Sequence, residues 1–144
     1  MKKLFVCLAV SVMFIGSGSA KAGQNFIQLS LFNPVQLLDE GASVTGIRLN
    51  LIYTVNQDVT GVDWGLVNKT NGNFLGVSDG AVNIVEGKMT GLQMGFVNVS
   101  NEVQGVQFGF VNKTDSLNGI QIGLVNLNDA GPFKILPIVN FSFN

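Results

Sequence analysis

The chain repeats one eight-residue phrase, which is most regular at residues 105–112, where it reads GVQFGFVN. Six copies, here called phrases one to six, begin at glycines that are separated by 15, 15, 15, 14 and 14 residues: Gly46, Gly61, Gly76, Gly91, Gly105 and Gly119. Such self-similarity indicates a repeat architecture, in which each unit buries its surface against its neighbours. We therefore predict a repeat array over residues 46–132.

Apolar and polar residues alternate within each phrase, which is the period expected of a β-strand. If the leading glycine is counted as position 0, positions 1, 3 and 5 carry apolar side chains such as Phe108. Glycines and a Gln or Asp occupy the opposite side of the strand. We expect the apolar side to be packed in a core or to contact lipid.

Two all-β architectures satisfy this pattern. In a parallel β-solenoid, about six coils of 14–15 residues stack about 4.8 Å apart, and equivalent residues form continuous rows. In the alternative, an eight-stranded antiparallel outer-membrane β-barrel, each phrase is one strand and its apolar residues face lipid. The same motif in the same phase on every strand favours parallel stacking and hence the solenoid. The solenoid also predicts a structural row of amides from Asn68, Asn83, Asn98, Asn112 and Asn126.

The flanks of the array have their own patterns. Residues 1–22 combine a basic start, a short apolar run and a small-residue cleavage site, which predicts a cleaved secretory signal peptide. The apolar run is too short for a membrane-spanning helix. Residues 23–45 are predicted as an amino-terminal strand, cap and loop, and residues 133–144 as a closing strand. The leader predicts export through the Sec route to the outer membrane, the cell surface or the periplasm.

Several classes of function lack the residues that they require. The chain contains no histidine, and its one cysteine, Cys7, lies in the leader, which argues against imidazole and thiol catalysis and against metal ligation by these groups. The leader holds three of the eight basic residues and no acidic residue, which leaves a net charge of −4 and argues against nucleic-acid binding. Acidic residues drift in offset between phrases, unlike the ligands of a calcium-binding solenoid. We predict no enzymatic activity, no cofactor and no metal site.

Two carboxylates fall within phrases. Asp63 occupies position 2 and Asp79 position 3, so alternation places them on opposite faces and argues against a catalytic pair. Asp79 interrupts the apolar residues of phrase three, where an unpaired carboxylate is costly in a dry core or in lipid. We predict that Asp79 marks an opening or a contact site. The glutamines at position 2 of the last three phrases are expected to hydrogen-bond one another: Gln93, Gln107 and Gln121.

The G-x-Q-x-G-x-V-N phrase, together with the leader, resembles the leptospiral-type surface-repeat family of bacterial proteins. The resemblance covers residues 46–126 and extends to the opening strand at residues 25–32 and to the ending PIVNFSF at residues 137–143. It implies a surface or outer-membrane setting and no defined activity. A weaker resemblance is to curlin repeats, whose Q-x-G-x-x-N half-motif recurs at residues 93–98, 107–112 and 121–126. The second curlin strand is absent and the period is too short, which argues against an amyloid-fibre function.

These observations predict a non-enzymatic envelope or cell-surface protein with a structural or adhesive role. The alternative is a small integral outer-membrane barrel with a structural or pore-like role. Self-association or an outer-membrane or surface partner is expected, since the open ends of a solenoid are unpaired edges unless they are capped. The two readings differ in whether the apolar positions face lipid.

Overall fold

The computed structural model describes residues 25–143, so the predicted signal peptide at residues 1–22 lies outside the described residues. The described residues form β-strands joined by turns, without any helix, and so contain no helix that is long and apolar enough to cross a membrane. The strands are β1 (Asn25–Phe32), β2 (Val35–Gln36), β3 (Val44–Asn50), β4 (Tyr53–Asn56), β5 (Val59–Thr70), β6 (Phe74–Asn128) and β7 (Ile135–Ser142).

The phrases stack in parallel and in register. Strand β3 pairs with β5, and β5 with β6, such that Gly46 lies beside Gly61 and Gly61 beside Gly76. Strand β6 continues through the later phrases, whose leading glycines each lie against the backbone of the previous one. The predicted parallel β-solenoid is therefore confirmed, and the antiparallel barrel is not favoured, because neighbouring phrases run in the same direction.

The regular part of the solenoid contains about four coils, fewer than the six that the glycines suggest. Phrases two to five are continuous and have a parallel neighbour on each side. Phrase one is interrupted by a bend at residues 51–52, between β3 and β4. Phrase six is paired on its outer side with the antiparallel strand β7. The first and last phrases thus form the ends of the array.

Separate strands cover both ends. Strand β1 pairs in parallel with β3, and the short β2 pairs antiparallel with β1. At the other end, β7 runs antiparallel to phrase six from Gly119 to Leu127. Strand β7 contains Pro137, which cannot donate a backbone hydrogen bond to a further strand. These strands pair with the backbone N–H and C=O groups of the terminal coils and so limit end-to-end pairing between molecules.

The leading glycine is required by the close approach of adjacent coils. Gly105 has a φ of +146°, in a region that L-amino acids with side chains rarely adopt. A Cβ atom on Gly105 would lie 2.1 Å from the carbonyl oxygen of Gly91 in the coil below. The repeated glycines of the sequence therefore mark the positions at which the backbones of adjacent coils approach each other closely.

The interior of the solenoid is mostly polar. One apolar row runs through it, two residues before each leading glycine: Val44, Val59, Phe74, Met89, Val103 and Leu117. The other buried positions hold amides, hydroxyl groups and one ion pair, together with Val55 and Val85. The apolar residues at positions 1, 3 and 5 lie outside, so the expectation that they pack in a core is not met. Position 2 and the asparagine at position 7 point inward instead.

Candidate functional site

The five predicted asparagines form one continuous row of hydrogen bonds. In each step, the Nδ2 atom donates to the Oδ1 atom of the next asparagine, at 2.9 Å for Asn68 to Asn83, Asn83 to Asn98 and Asn98 to Asn112, and at 2.8 Å for Asn112 to Asn126. Each of the first four also donates to a main-chain carbonyl of the next coil, as Asn98 does to Phe108 at 3.0 Å. Their side chains are buried and hydrogen-bonded to one another, so the row joins adjacent coils and leaves few free polar groups for a ligand.

The inner row at position 2 changes character halfway along. In its first half, Arg48 and Asp63 form a buried ion pair, with Nε donating to Oδ1 at 2.9 Å. Both side chains are essentially inaccessible, at 0% and 1% exposure. The guanidinium also donates to the carbonyl of Lys69 at 2.8 Å, and the Ser78 hydroxyl donates to Asp63 at 3.2 Å. The charges are therefore compensated inside the solenoid.

In the second half of the same row, three glutamines repeat a single interaction. Gln121 donates from Nε2 to Oε1 of Gln107, and Gln107 donates in the same way to Gln93, both at 2.9 Å. Asn140 of β7 donates to Gln121 at 3.3 Å and so continues the row into the closing strand. At the other end, the Nε2 atom of Gln93 is buried and has no hydrogen-bond partner among the described residues. Ser78 occupies the next position in that direction.

Sequence reasoning missed the ion pair and the direction of the faces. Arg48 stands at position 2 of the most divergent phrase, and Asp63 stands at the same position of the next phrase. Opposite charges at one offset in neighbouring repeats were the available signal. Asp63 is buried inside and Asp79 is exposed outside, so the two carboxylates are not brought together.

The most unusual surface is a broad apolar sheet face, which we call the outer apolar face. It consists of positions 1, 3 and 5 of the six phrases: Ile47, Leu49, Leu51, Val62, Trp64, Leu66, Val77, Asp79, Ala81, Leu92, Met94, Phe96, Val106, Phe108, Phe110, Ile120, Ile122 and Leu124. Many of its large side chains are more than half exposed, among them Trp64 at 59% and Phe108 at 54%. Six phrases stacked about 4.8 Å apart give the face a length of roughly 30 Å. Contiguous apolar surface of this size marks an interaction site.

A groove with a volume of about 830 Å³, open to solvent, runs along the outer apolar face. It is lined by residues of all six phrases, from Leu51 in phrase one to Leu124 in phrase six, and by Ile138 of β7. Phrase three contributes Asp79 and the small Ala81, where phrase four contributes Met94 and Phe96. The rings of Phe96 and Phe110 pack beside each other with centroids 5.2 Å apart.

Asp79 is the one charged member of the outer apolar face, and its side chain is exposed. Its carbonyl oxygen accepts a hydrogen bond from Asn68 at 3.2 Å, so its backbone is held by the asparagine row. The predicted contact residue therefore lines the groove, on a strand whose backbone is hydrogen-bonded to the asparagine row. Within residues 25–143, no group of three or more His, Cys, Asp or Glu side chains is placed to hold a metal ion.

Away from the outer apolar face, the described part of the chain has one ion pair at the surface. Lys69 and Glu86 lie 3.0 Å apart, with side chains 28% and 52% exposed. The hydrogen bond with Glu86 raises the pKa of Lys69, against a smaller opposing effect of burial.

Comparison of the chain with protein-family models, with curated proteins and with solved structures found no match.

Proposed function

We propose that this protein is a non-enzymatic structural or adhesive element of the bacterial cell envelope, acting through its outer apolar face. The observation that carries the proposal is the exposure of large apolar side chains along all six phrases, including Trp64, Phe96 and Phe108. A soluble monomer gains nothing from such a face, because each 100 Å² of apolar surface left in water forgoes about 2.5 kcal/mol of burial free energy.

The polar interior makes this face suitable for contact. Hydrogen-bonded rows at positions 2 and 7 hold the coils in register from beneath. A partner that covers the face therefore meets a rigid surface and loses little conformational entropy in the protein on binding. The groove crosses all six phrases and is open to solvent, which favours an extended contact over a deep pocket for a small ligand.

The envelope setting is proposed from the leader and from the resemblance of the repeats to bacterial surface proteins. The charged side chains of the array, apart from Asp79, lie inside or away from the outer apolar face. A one-sided distribution of this kind suits a protein that is covered on one side and exposed to water on the other.

The test compares two single substitutions that each add one negative charge. Phe108→Asp places the charge on the outer apolar face, and Gln104→Asp places it on an exposed residue outside that face. We expect envelopes that carry the first variant to lose the protein in a high-pH carbonate wash, and envelopes with the second to retain it as the wild type does. Thermal melts of both purified variants check that the fold is kept. Equal retention of Phe108→Asp and wild type, with both folded, would contradict the proposal.

A further inference from the structure

We infer that the groove along the outer apolar face binds a single-chain amphiphile that carries one positively charged nitrogen, either an amine or a quaternary ammonium group. The inference deepens the proposed function and rests on it, since it names a ligand class for the same face. Three observations lead to it: the shape of the groove, the isolated carboxylate of Asp79 within it, and the indole ring next to that carboxylate.

The groove is narrow and follows the stacking direction of the phrases. Position 4 of phrases two to six is a glycine, and these glycines lie between its two sides: Gly65, Gly80, Gly95, Gly109 and Gly123. The side chains at positions 3 and 5 form the sides, two residues or roughly 7 Å apart along the strand. A carbon chain that runs between the two rows lies roughly 3.5 Å from each, which is an ordinary contact distance. The groove therefore fits one extended hydrocarbon chain that crosses the strands.

Asp79 is the one charged residue of the groove. Its side chain is exposed, and none of the basic residues that the structure describes lines the groove. The two ion pairs within residues 25–143 are Arg48–Asp63 and Lys69–Glu86, so Asp79 has no cationic partner there. A ligand that displaces water from the groove loses binding free energy unless it compensates this carboxylate. A positive charge on the ligand, placed at Asp79, supplies that compensation.

The surroundings of Asp79 suit a cationic headgroup. Trp64 occupies the same position of the neighbouring coil, in register with Asp79, and is 59% exposed. The face of an indole ring attracts cations more strongly than other aromatic side chains do, and aromatic residues are a common means of binding quaternary ammonium groups. Across the groove, position 5 of the same phrase is Ala81, whose small side chain leaves room for the headgroup. Carboxylate, indole and free space together form a site for an ammonium group.

The hydrocarbon chain is expected to run from Asp79 towards β7. In that direction both sides of the groove are large and apolar through phrases four to six: Met94, Phe96, Phe108, Phe110, Ile122 and Leu124. Ile138 of β7, which is paired with Gly123, lines the groove beyond them. Three steps of about 4.8 Å reach phrase six and a fourth reaches β7, a distance of roughly 14–19 Å. A chain of 1.5 Å carbon–carbon bonds advances roughly 1.25 Å per carbon, so about 12–15 carbons fit.

Other occupants leave Asp79 uncompensated. A second copy of the chain would bring another outer apolar face, whose one charged member is again Asp79. The acyl chains of a bilayer would surround the carboxylate with hydrocarbon. A fatty acid or an alkyl sulfate would add a negative charge beside the first. A positively charged amphiphile matches both the apolar sides of the groove and its carboxylate.

Fluorescence of Trp64, the only tryptophan of the chain, reports directly on the headgroup site. We expect titration with dodecyltrimethylammonium, below its micelle concentration, to change the emission in a saturable way. Dodecyl sulfate, with the same chain and the opposite charge, should bind at least about tenfold more weakly. Tetramethylammonium, which lacks the chain, should not bind measurably. Across a series of alkyltrimethylammonium ions, affinity should rise roughly twofold per methylene up to about 15 carbons, because the open groove covers about half of each.

Two matched pairs of variants test the orientation of the ligand. Asp79→Asn should weaken dodecyltrimethylammonium binding about tenfold, whereas Asp115→Asn, the same change at an exposed residue outside the face, should have no effect. Leu124→Ala, at the phrase-six end of the groove, should weaken binding about threefold. Leu51→Ala, the same change at the opposite end, should leave the affinity unchanged. Circular dichroism of each variant, with and without ligand, checks that the solenoid is kept.

Three results would overturn the inference: no saturable change in Trp64 emission, equal binding of the cationic and anionic amphiphiles, or unchanged affinity of Asp79→Asn. A response to neutral phospholipid vesicles without a response to the monomeric amphiphile would also overturn it, because a bilayer would then cover the face. The proposed function fails separately, when Phe108→Asp leaves envelope retention unchanged in the carbonate wash, whatever the result of the titrations.

Discussion

The two halves of the inner row at position 2 solve one packing problem in different ways. In the first half, Arg48, Asp63 and Ser78 are three different residues whose charges and hydroxyl satisfy one another. In the second half, identical glutamines donate and accept in turn. Both halves occupy the same position of the phrase and are equally buried. The comparison shows that a buried polar side chain is accommodated when the residues above and below it supply hydrogen-bond or ion-pair partners. Which polar residue occupies the position matters less.

The two solutions should respond differently to mutation. A buried ion pair is expensive to break because the remaining charge loses its partner in a site without water. A step of an amide row contributes about as much as an ordinary hydrogen bond, roughly 1 kcal/mol. Substitutions in the first half should therefore lower the free energy of unfolding more than substitutions in the more regular second half.

Asp63→Ala should produce the largest loss. It leaves the Arg48 guanidinium buried with only hydroxyl and carbonyl acceptors, and we expect the free energy of unfolding to fall by about 3–5 kcal/mol. Urea unfolding measures the change. The double variant Arg48→Met/Asp63→Leu is the control and should be within about 1 kcal/mol of wild type, since an apolar replacement removes both charges. A single variant as stable as the double would show that the ion pair has no special weight.

Asn112→Asp should cost somewhat less, about 2–4 kcal/mol, because it places one charge in the asparagine row. The new carboxylate can still accept from Asn98, but it cannot donate to Asn126 or to the carbonyl of Ile122. Denaturant midpoints of the variant and wild type provide the measurement. Gln104→Glu makes the same amide-to-acid change on the surface, so similar midpoints for the two variants would disprove the structural role of the row.

The fold could be predicted from the sequence because stacking leaves a direct trace. Parallel coils require like residues at a constant step, and the glycines that lie against one another recur at that step. Alternation also separated Asp63 from Asp79 onto two faces. It could not tell which face is inside, because a period of two is the same from either side. In the sequence, the apolar side of each strand resembled a core. The polar side can be buried because its side chains hydrogen-bond with one another, which requires several stacked coils.

The candidate site was less accessible to sequence reasoning. Asp79 stood out as an interruption of an apolar pattern, but the groove that it lines is formed by side chains of all six phrases and of β7. Equivalent residues along the groove are 14 or 15 positions apart in the sequence. The ion pair of Arg48 escaped notice because phrase one deviates from the motif. A contact between repeats becomes visible only after the repeats are aligned at one offset.

Gln107→Leu and Gln93→Leu sharpen the comparison within the second half. Gln107 both donates and accepts in the row, so its loss should cost about 1–3 kcal/mol. Gln93 accepts from Gln107 and from the Ser100 hydroxyl, yet its own Nε2 atom is buried without a partner among the described residues. Replacing Gln93 also removes that unsatisfied group, and we expect its cost to be lower by about 1 kcal/mol. Chemical denaturation of the two variants side by side tests the order, and a larger loss for Gln93→Leu would reverse it.

The smallest effect should come from a second ion pair, that of Lys69 and Glu86 on the surface. Lys69→Met should change the free energy of unfolding by about 0.5 kcal/mol or less, because solvent and salt screen the charges. The hydrogen bond with Glu86 raises the pKa of Lys69, so its stabilisation is complete below the ordinary value of 10.5 and is lost as the pH rises further. Urea unfolding at pH 8 and above pH 11 measures the difference between variant and wild type. A Lys69→Met loss comparable with that of Asp63→Ala would mean that burial does not distinguish the two pairs.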